Sequence, residues 1–423
     1  MAEGVVLQFA FICNDTQGGV QPYVALALGL QKAGHEVRLL APENYKGFVT
    51  SHGIPFCPLS GDVQAFLKSA EFAAVAAKGF IAVQQLAIRK VYELTNRWMA
   101  EAVVACDGAD VIVAGIGGFA VAEAVAEKLG VRLIQAHLQP LTPTGAFPGP
   151  LGPKWLSRFG DAGNRLGHEF TRQVMWQPTR PAVDQARRKV LCLPPAPFWG
   201  RLGKAAARCP LLYGYSRHVL PHPLDWGKSV HVTGYWFLDG AATYSPPPGL
   251  TAFLAAGPPP VVIGFGSMGD RDAEGTARMV IEAVQAAGVR AVLLSGWGGF
   301  GAAALGPSVH ILDSAPHDWL YPRSAMVVHH GGAGTTGAMF RAGVPGVVIP
   351  FAAEQPFWGE LVAALGCGPK PIHRCRLTAA GLAAAIRSAL GENIRKRAAA
   401  IGALVRSENG VGEAVRLLTM IEK

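Results

Sequence analysis

The stretch His329–Gly359, "HHGGAGTTGAMFRAGVPGVVIPFAAEQPFWG", decides the fold. It follows an apolar run, "AMVV", that reads as a strand. Glycines and two threonines then stand where a helix begins. The first turn of a helix carries unpaired backbone N–H groups and the positive end of the dipole. Glycines let an anion approach that backbone closely, so strand, bare turn and helix form a cradle for a diphosphate. Thr335 and Thr336 add hydroxyls, and His330 adds a ring N–H. Paired histidines at a strand end also suit ordinary packing; the glycines that follow favour the phosphate. No Walker lysine is present, which argues against ATP hydrolysis.

Beyond that helix, "PGVVIP" reads as a strand and "PFAAEQPFWG" as its exit loop. Glu354 and Gln355 supply acceptors and donors suited to vicinal hydroxyls, and Trp358 an apolar wall for a sugar face. A capping acid before a helix is the plainer alternative for Glu354. "GFGSM" ends another strand of the same half, and Ser267 is within reach of the same phosphate.

Strand and helix alternate through both halves of the chain. "VVLQFAFI", "HEVRLLAP", "DVIVAG" and "VRLIQAHL" read as strands, with "PYVALALGLQKAG" and "FAVAEAVAEKLG" as helices between them. The pattern restarts at "PVVIGFGS" after two proline triplets. This is the parallel βαβ arrangement, so the fold class is α/β with two doubly wound, Rossmann-like domains. The expected division is an N-terminal domain over 1–238, a Pro-rich linker over 239–259, a nucleotide-binding domain over 260–400, and a C-terminal helix over 401–423 packing back on the first domain. Ligands of such sheets sit at the carboxyl ends of strands, so an interdomain cleft is expected to hold the site.

Composition agrees. The chain has 423 residues, 50% hydrophobic and 16% charged, which suits a buried globular protein. No apolar run reaches the roughly 20 residues of a spanning helix, and no signal peptide is read at the N-terminus. Seven scattered cysteines without a CxxC suit reduced thiols in the cytoplasm and give no metal spacing. The D-x-D at Asp270–Asp272 reads as a helix cap, so no metal is expected. The net charge of +9 comes without a nucleic-acid motif. Its densest places read as solvated helix faces, with an anionic membrane surface or ligand as the sharper option. "GIGGFAVAEA" is half of a dinucleotide fingerprint, and NAD is not expected.

The His329–Gly359 stretch resembles the donor signature of nucleotide-sugar-dependent glycosyltransferases of the GT-B fold, on the sterol glucosyltransferase-like branch of the UDP-glycosyltransferases. "GGVQPYVALALGLQKAGHEVRLLAPENY", "LQPLTPTGAFPGPLG", "LLYGYSRHVLPHPLDWGKSVHVTGYWFLD", "GFGSM" and "APHDWLYP" agree with it, so the resemblance covers nearly the whole chain. It implies that His330, Gly332, Gly334 and Thr335 hold the diphosphate with Ser267 assisting. It implies that Glu354 and Gln355 bind the sugar, and that Ala315 and His317 face the base. The implied reaction moves a hexose, glucose from UDP-glucose, to a hydroxyl of a lipophilic acceptor with inversion and without a cofactor. The sequence departs from the family where the catalytic base is expected: that position in "NDTQGGVQP" is Gly19. Asp15 in the same loop is the first replacement, with bracing of the turn as its plainer role. His137 at a strand end is the second. Phe80, Trp155, Phe159, Met175 and Trp176 either line an apolar acceptor pocket or belong to the core. A natural-product transferase using a dTDP-deoxysugar, and an inactive nucleotide-sugar binder, are the alternatives. The expected location is cytoplasmic, with peripheral membrane contact left open.

Overall fold

The computed structural model describes residues 5–62, 65, 69–76, 80–204, 210–265, 273–294 and 306–420. The chain forms two compact units. The first comprises 1–214, 222–236 and 409–423; the second comprises 215–221 and 237–408.

In the first unit, β1 (Gln8–Ile12), β2 (Glu36–Pro42), β3 (Phe56–Leu59), β4 (Val111–Ala114), β5 (Arg132–His137), β6 (Leu211–Tyr213) and β7 (Val230–Val232) form one parallel sheet in the order β3-β2-β1-β4-β5-β6-β7. Its strands are nearly continuous apolar runs because helices cover both faces. One face packs Ile12, Leu40, Ile112 and Ala114 against Met99 and Ala102 of the helix Phe80–Ala105 and Val121 and Val125 of the helix Phe119–Leu129. The strand order reverses between β1 and β4. In sheets of this kind ligands bind at the carboxyl ends of the strands beside such a reversal.

In the second unit, β8 (Val261–Gly264), β9 (Ala291–Leu294), β10 (Val309–Leu312), β11 (Met326–His329) and β12 (Gly346–Val348) pair in parallel in the order β10-β9-β8-β11-β12. Val261, Ile263, Leu293, Val328 and Val347 pack against the helices Ala273–Ala287 and Ala379–Ala389. Here the reversal lies between β8 and β11, and His330 stands directly after β11.

The segment after the first unit is bound to the second. The Asp318 carboxylate accepts the N–H groups of Gly240 (3.0 Å) and Ala241 (2.8 Å), and Arg341 pairs with Asp239. Residues 401–406 complete the helix Glu392–Arg406 of the second unit. The helix Gly410–Thr419 lies instead on the helix Gln17–Lys32 of the first. Val411 and Val415 sit so close to Gly29 that a methyl there would meet them at 2.7 and 2.9 Å. Among the described residues, no helix is long and apolar enough to cross a membrane.

Candidate active site

In the second unit the turn after β11 depends on glycine. Gly331 has φ +93°, a left-handed conformation, and a Cβ on it would stand 2.7 Å from Val348 Cγ1 and 2.9 Å from the Gln355 carbonyl oxygen. The close approach brings the loop carrying Glu354 and Gln355 against the turn carrying His330. Gly332 is the N-cap of the helix Ala333–Ala342, with extended backbone, no side-chain cap and no acid in the first turn. The opening N–H groups of that helix therefore have no intrahelical acceptor. The Thr336 hydroxyl donates back to the Gly332 carbonyl (2.9 Å), so it closes the turn instead of facing a ligand. Thr335 is half-buried and Gly334 exposed in the same first turn.

Three imidazoles gather at this helix start. His329 is fully buried, and its Nδ1 accepts the Gly331 N–H at 3.2 Å. His330 Nε2 lies 2.5 Å from where a Cβ on Gly332 would be, so the ring rests against the bare backbone. His317 stacks on Tyr321 with ring centroids 4.4 Å apart, in the short helix that follows Ala315. Burial, then repulsion from His330 and His317, pushes His329 down to about 3. Burial, then His317, pushes His330 down to about 4; burial does the same to His317. All three are neutral at neutral pH, each with an N–H to donate. Such a set stabilises negative charge that arrives or develops beside it.

In the first unit the loop after β1 holds Asp15. The point where a Cβ on Gly19 would sit lies 2.2 Å from Asp15 Cγ and 2.4 Å from its Oδ2. The Asp15 carboxyl thus fills the space that a side chain at position 19 would take. Oδ1 accepts the Thr16 N–H at 2.6 Å, at the start of the helix Gln17–Lys32. The loop after β4 presses on this one: a Cβ on Gly117 would meet the Asn14 carbonyl oxygen at 2.1 Å, and one on Gly118 the Ile12 oxygen at 2.0 Å. The last two glycines of "GIGG" serve this contact between loops. The carboxylate also raises the neighbouring Cys13 thiol and Tyr23 hydroxyl, both already pushed well up by burial.

Two family models match the chain. Residues 10–148 match the glycosyltransferase family 28 N-terminal domain, and 295–410 match the erythromycin biosynthesis protein CIII-like C-terminal domain. Two sterol 3-beta-glucosyltransferases of Arabidopsis thaliana are 35% and 33% identical over 97% of this chain, which spans 65% and 67% of their lengths. The chain belongs to the sterol glucosyltransferase-like family of glycosyltransferases. It therefore covers only about two thirds of these plant relatives. The calicheamicin glycosyltransferase CalG4 shares the fold with a TM-score of 0.70 at 17% identity, covering 98% of this chain and 97% of that one. Its two parallel-sheet domains are those of the GT-B fold.

In this member of the family several residues singled out from sequence stand elsewhere than expected. Trp358 is fully buried, edge-on to Tyr215 (6.0 Å) and Phe357 (5.4 Å), so its ring offers no wall to a sugar. The Gln355 amide oxygen accepts the N–H groups of Phe351 (2.7 Å) and Ala352 (3.1 Å), bracing its own loop. Glu354 beside it is half-buried as the N-cap of the helix Gln355–Ala364. His137 is sealed in the core at the end of β5, 3.0 Å from Gln135 Oε1, and burial pushes it down to about 3. A ring that binds protons so weakly makes a poor base. Trp176 is a core residue whose indole N–H donates to the Phe198 carbonyl (2.8 Å), not part of an acceptor wall. Trp155 and Phe159 are exposed, edge-to-face at 6.2 Å. Phe80 opens a helix, but its side chain lies outside the described residues, as do Ser267 and the D-x-D.

Two residues that sequence reasoning passed over shape the loop after β5. The Tyr213 hydroxyl accepts the N–H groups of Leu141 (3.0 Å) and Thr142 (2.7 Å). The Asp225 carboxylate accepts the Thr144 hydroxyl (2.6 Å), the Gly145 N–H (2.8 Å) and Arg165 (2.9 Å). Partial burial opposes that charge, but the three donors outweigh it and hold Asp225 down to about 2. The only hint in sequence is an acid in the otherwise apolar "HPLDWG".

Proposed function

We propose that this chain transfers glucose from UDP-glucose to the hydroxyl of a sterol or a similar lipophilic alcohol, with inversion at the anomeric carbon. Asp15 takes the acceptor proton as the hydroxyl oxygen attacks from the face opposite UDP. The anomeric bond to the diphosphate breaks, and its electron pair leaves on the phosphate oxygen. His330, the N–H groups at Gly334 and Thr335, and the Thr335 hydroxyl receive that charge, with His317 and Ala315 beside the base. Glu354 accepts hydrogen bonds from the sugar hydroxyls. Ser267 assists at the phosphate, and Trp155 and Phe159 flank the acceptor. The enzyme works at the cytoplasmic face of a membrane that supplies the acceptor.

One observation carries catalysis over mere binding: the Asp15 carboxyl occupies the space left by the missing side chain of Gly19. The acid is thus moved four residues along the chain while the same volume stays filled. An inactive binder needs no such replacement. The test measures UDP release with UDP-glucose and a panel of steroid and triterpenoid alcohols. Asp15→Asn should lower turnover about a hundredfold or more with UDP affinity kept, the scale of a lost general base. The double variant Asp15→Gly/Gly19→Asp should recover part of it. Normal turnover in Asp15→Asn sinks the assignment. One other reading is a dTDP-deoxysugar donor, since a Streptomyces glycosyltransferase of the same fold is solved in complex with thymidine diphosphate. Faster turnover with dTDP-sugars than with UDP-glucose would select it.

A further inference from the structure

The helix Gly160–Trp176 buries Gly163, Gly167, Thr171 and Trp176 on one side. Its other side carries Leu166, Phe170 and Val174, which are 57%, 45% and 45% exposed. A spacing of four keeps these three on one face. Gln173 donates to the Trp199 carbonyl (3.0 Å), which ties the exposed pair Phe198 and Trp199 to the same helix. Single exposed apolar residues are ordinary, but a continuous row with aromatics beside it marks an interaction surface.

Charge gathers on the same segment. Lys154–Lys204 holds ten Lys and Arg against three Asp and Glu, a surplus of seven where the whole chain has nine. Lys154, Arg158, Arg165, Arg201 and Lys204 are exposed. Arg165 pairs with Asp225 (2.9 Å), and Arg201 stands 3.8 Å from Glu123. Arg172 and Arg187 are buried against Glu169 and Glu127 and serve the fold.

We propose that the surface of Lys154–Lys204 docks on an anionic lipid bilayer. The Leu166–Phe170–Val174 row and Trp199 enter the boundary between headgroups and acyl chains, and the surrounding cations meet the headgroups. An amphipathic helix with an apolar row and basic flanks lies in that plane, and tryptophan favours it. Charge decides against a second copy of the chain, since two faces that each expose Lys154, Arg158 and Lys204 repel. The proposal rests on the lipophilic-acceptor reading only for its purpose: docking brings the enzyme to where such an alcohol resides.

The test is co-sedimentation of the full chain with vesicles of phosphatidylcholine alone or with one third phosphatidylglycerol, without donor or acceptor. The wild type should bind the anionic vesicles and release them in high salt. Leu166→Asp/Phe170→Asp should weaken binding about tenfold or more, because both apolar area and charge balance are lost. Arg158→Glu/Lys204→Glu should remove the preference for anionic over neutral vesicles. Circular dichroism and UDP affinity should stay unchanged in both. Equal vesicle binding by wild type and Leu166→Asp/Phe170→Asp overturns the proposal. So does slower transfer by that variant to a detergent-dispersed acceptor, which would make the row an acceptor wall. A monomer–dimer shift of the free protein between wild type and variant overturns it in favour of self-association. If no alcohol is glucosylated but vesicle binding behaves as described, the transfer reading fails alone.

Discussion

At Gly19 the absence of a side chain has a chemical meaning. The Asp15 carboxyl occupies the position where its Cβ would be, so even a methyl group displaces the acid. Gly19→Ala should therefore behave like loss of the base: kcat falls about a hundredfold, while UDP affinity measured by calorimetry stays within about twofold. Unchanged kcat would show that the acid is not needed where it stands. The sequence showed half of this, since glycine cannot take a proton. That Asp15 folds into the vacant volume depends on the loop after β4 pressing on the loop after β1, which no local pattern states. Trp358 departs from its sugar-wall reading, and Trp176 falls to the core of its two alternatives, for a simpler reason. A large apolar letter reports a wish for burial, and Trp358 and Trp176 find it in packed interiors rather than against a ligand.

At the scale of elements, the turn between β11 and the helix Ala333–Ala342 is tightly constrained. It was the most legible too, because a helix start stripped of side chains is visible as letters. The companion loop was less so. Whether Gln355 points at a ligand or back at Phe351 is decided by two backbone N–H groups that need an acceptor. Gly331→Ala combines a left-handed φ with contacts under 3.0 Å to Val348 and Gln355. It should destabilise by about 1–3 kcal/mol or more, read as a lower urea midpoint. The opposite change is expected at Ala353, a non-glycine with φ 53° in the loop before Glu354. Ala353→Gly relieves a strain of about 1–2 kcal/mol, offset in part by the freer unfolded chain, so the midpoint should hold or rise slightly.

For the molecule as a whole, buried imidazoles set the response to acid. Burial lowers His137 and His329 to about 3 and His168, His317 and His330 to about 4. In each the native state favours the neutral ring, whereas the unfolded chain takes up a proton near the ordinary value of about 6.5. Their contribution is complete above that pH and is lost as pH falls from there towards 4 and then 3. The melting temperature without ligand should therefore drop steadily from about pH 7 to pH 5. A flat profile over that interval would contradict the burial of these rings. An anion bound at the helix Ala333–Ala342 should raise the three imidazoles beside it. UDP binding should then draw protons from solution below neutral pH, seen as a dependence of the calorimetric enthalpy on the buffer.

The placement of the last helix makes the first unit discontinuous along the chain. A Cβ on Gly410 would lie 2.3 Å from the Tyr235 carbonyl oxygen, and Val411 and Val415 crowd Gly29 on the helix that starts beside Asp15. A chain emerging during synthesis thus holds an unfinished first unit until the helix Gly410–Thr419 arrives. Stopping it at residue 408 should injure the distant amino-terminal sheet while sparing the unit next to the cut. A synthetic peptide spanning 409–423, added to the shortened protein, should restore its protection from hydrogen exchange in the helix Gln17–Lys32.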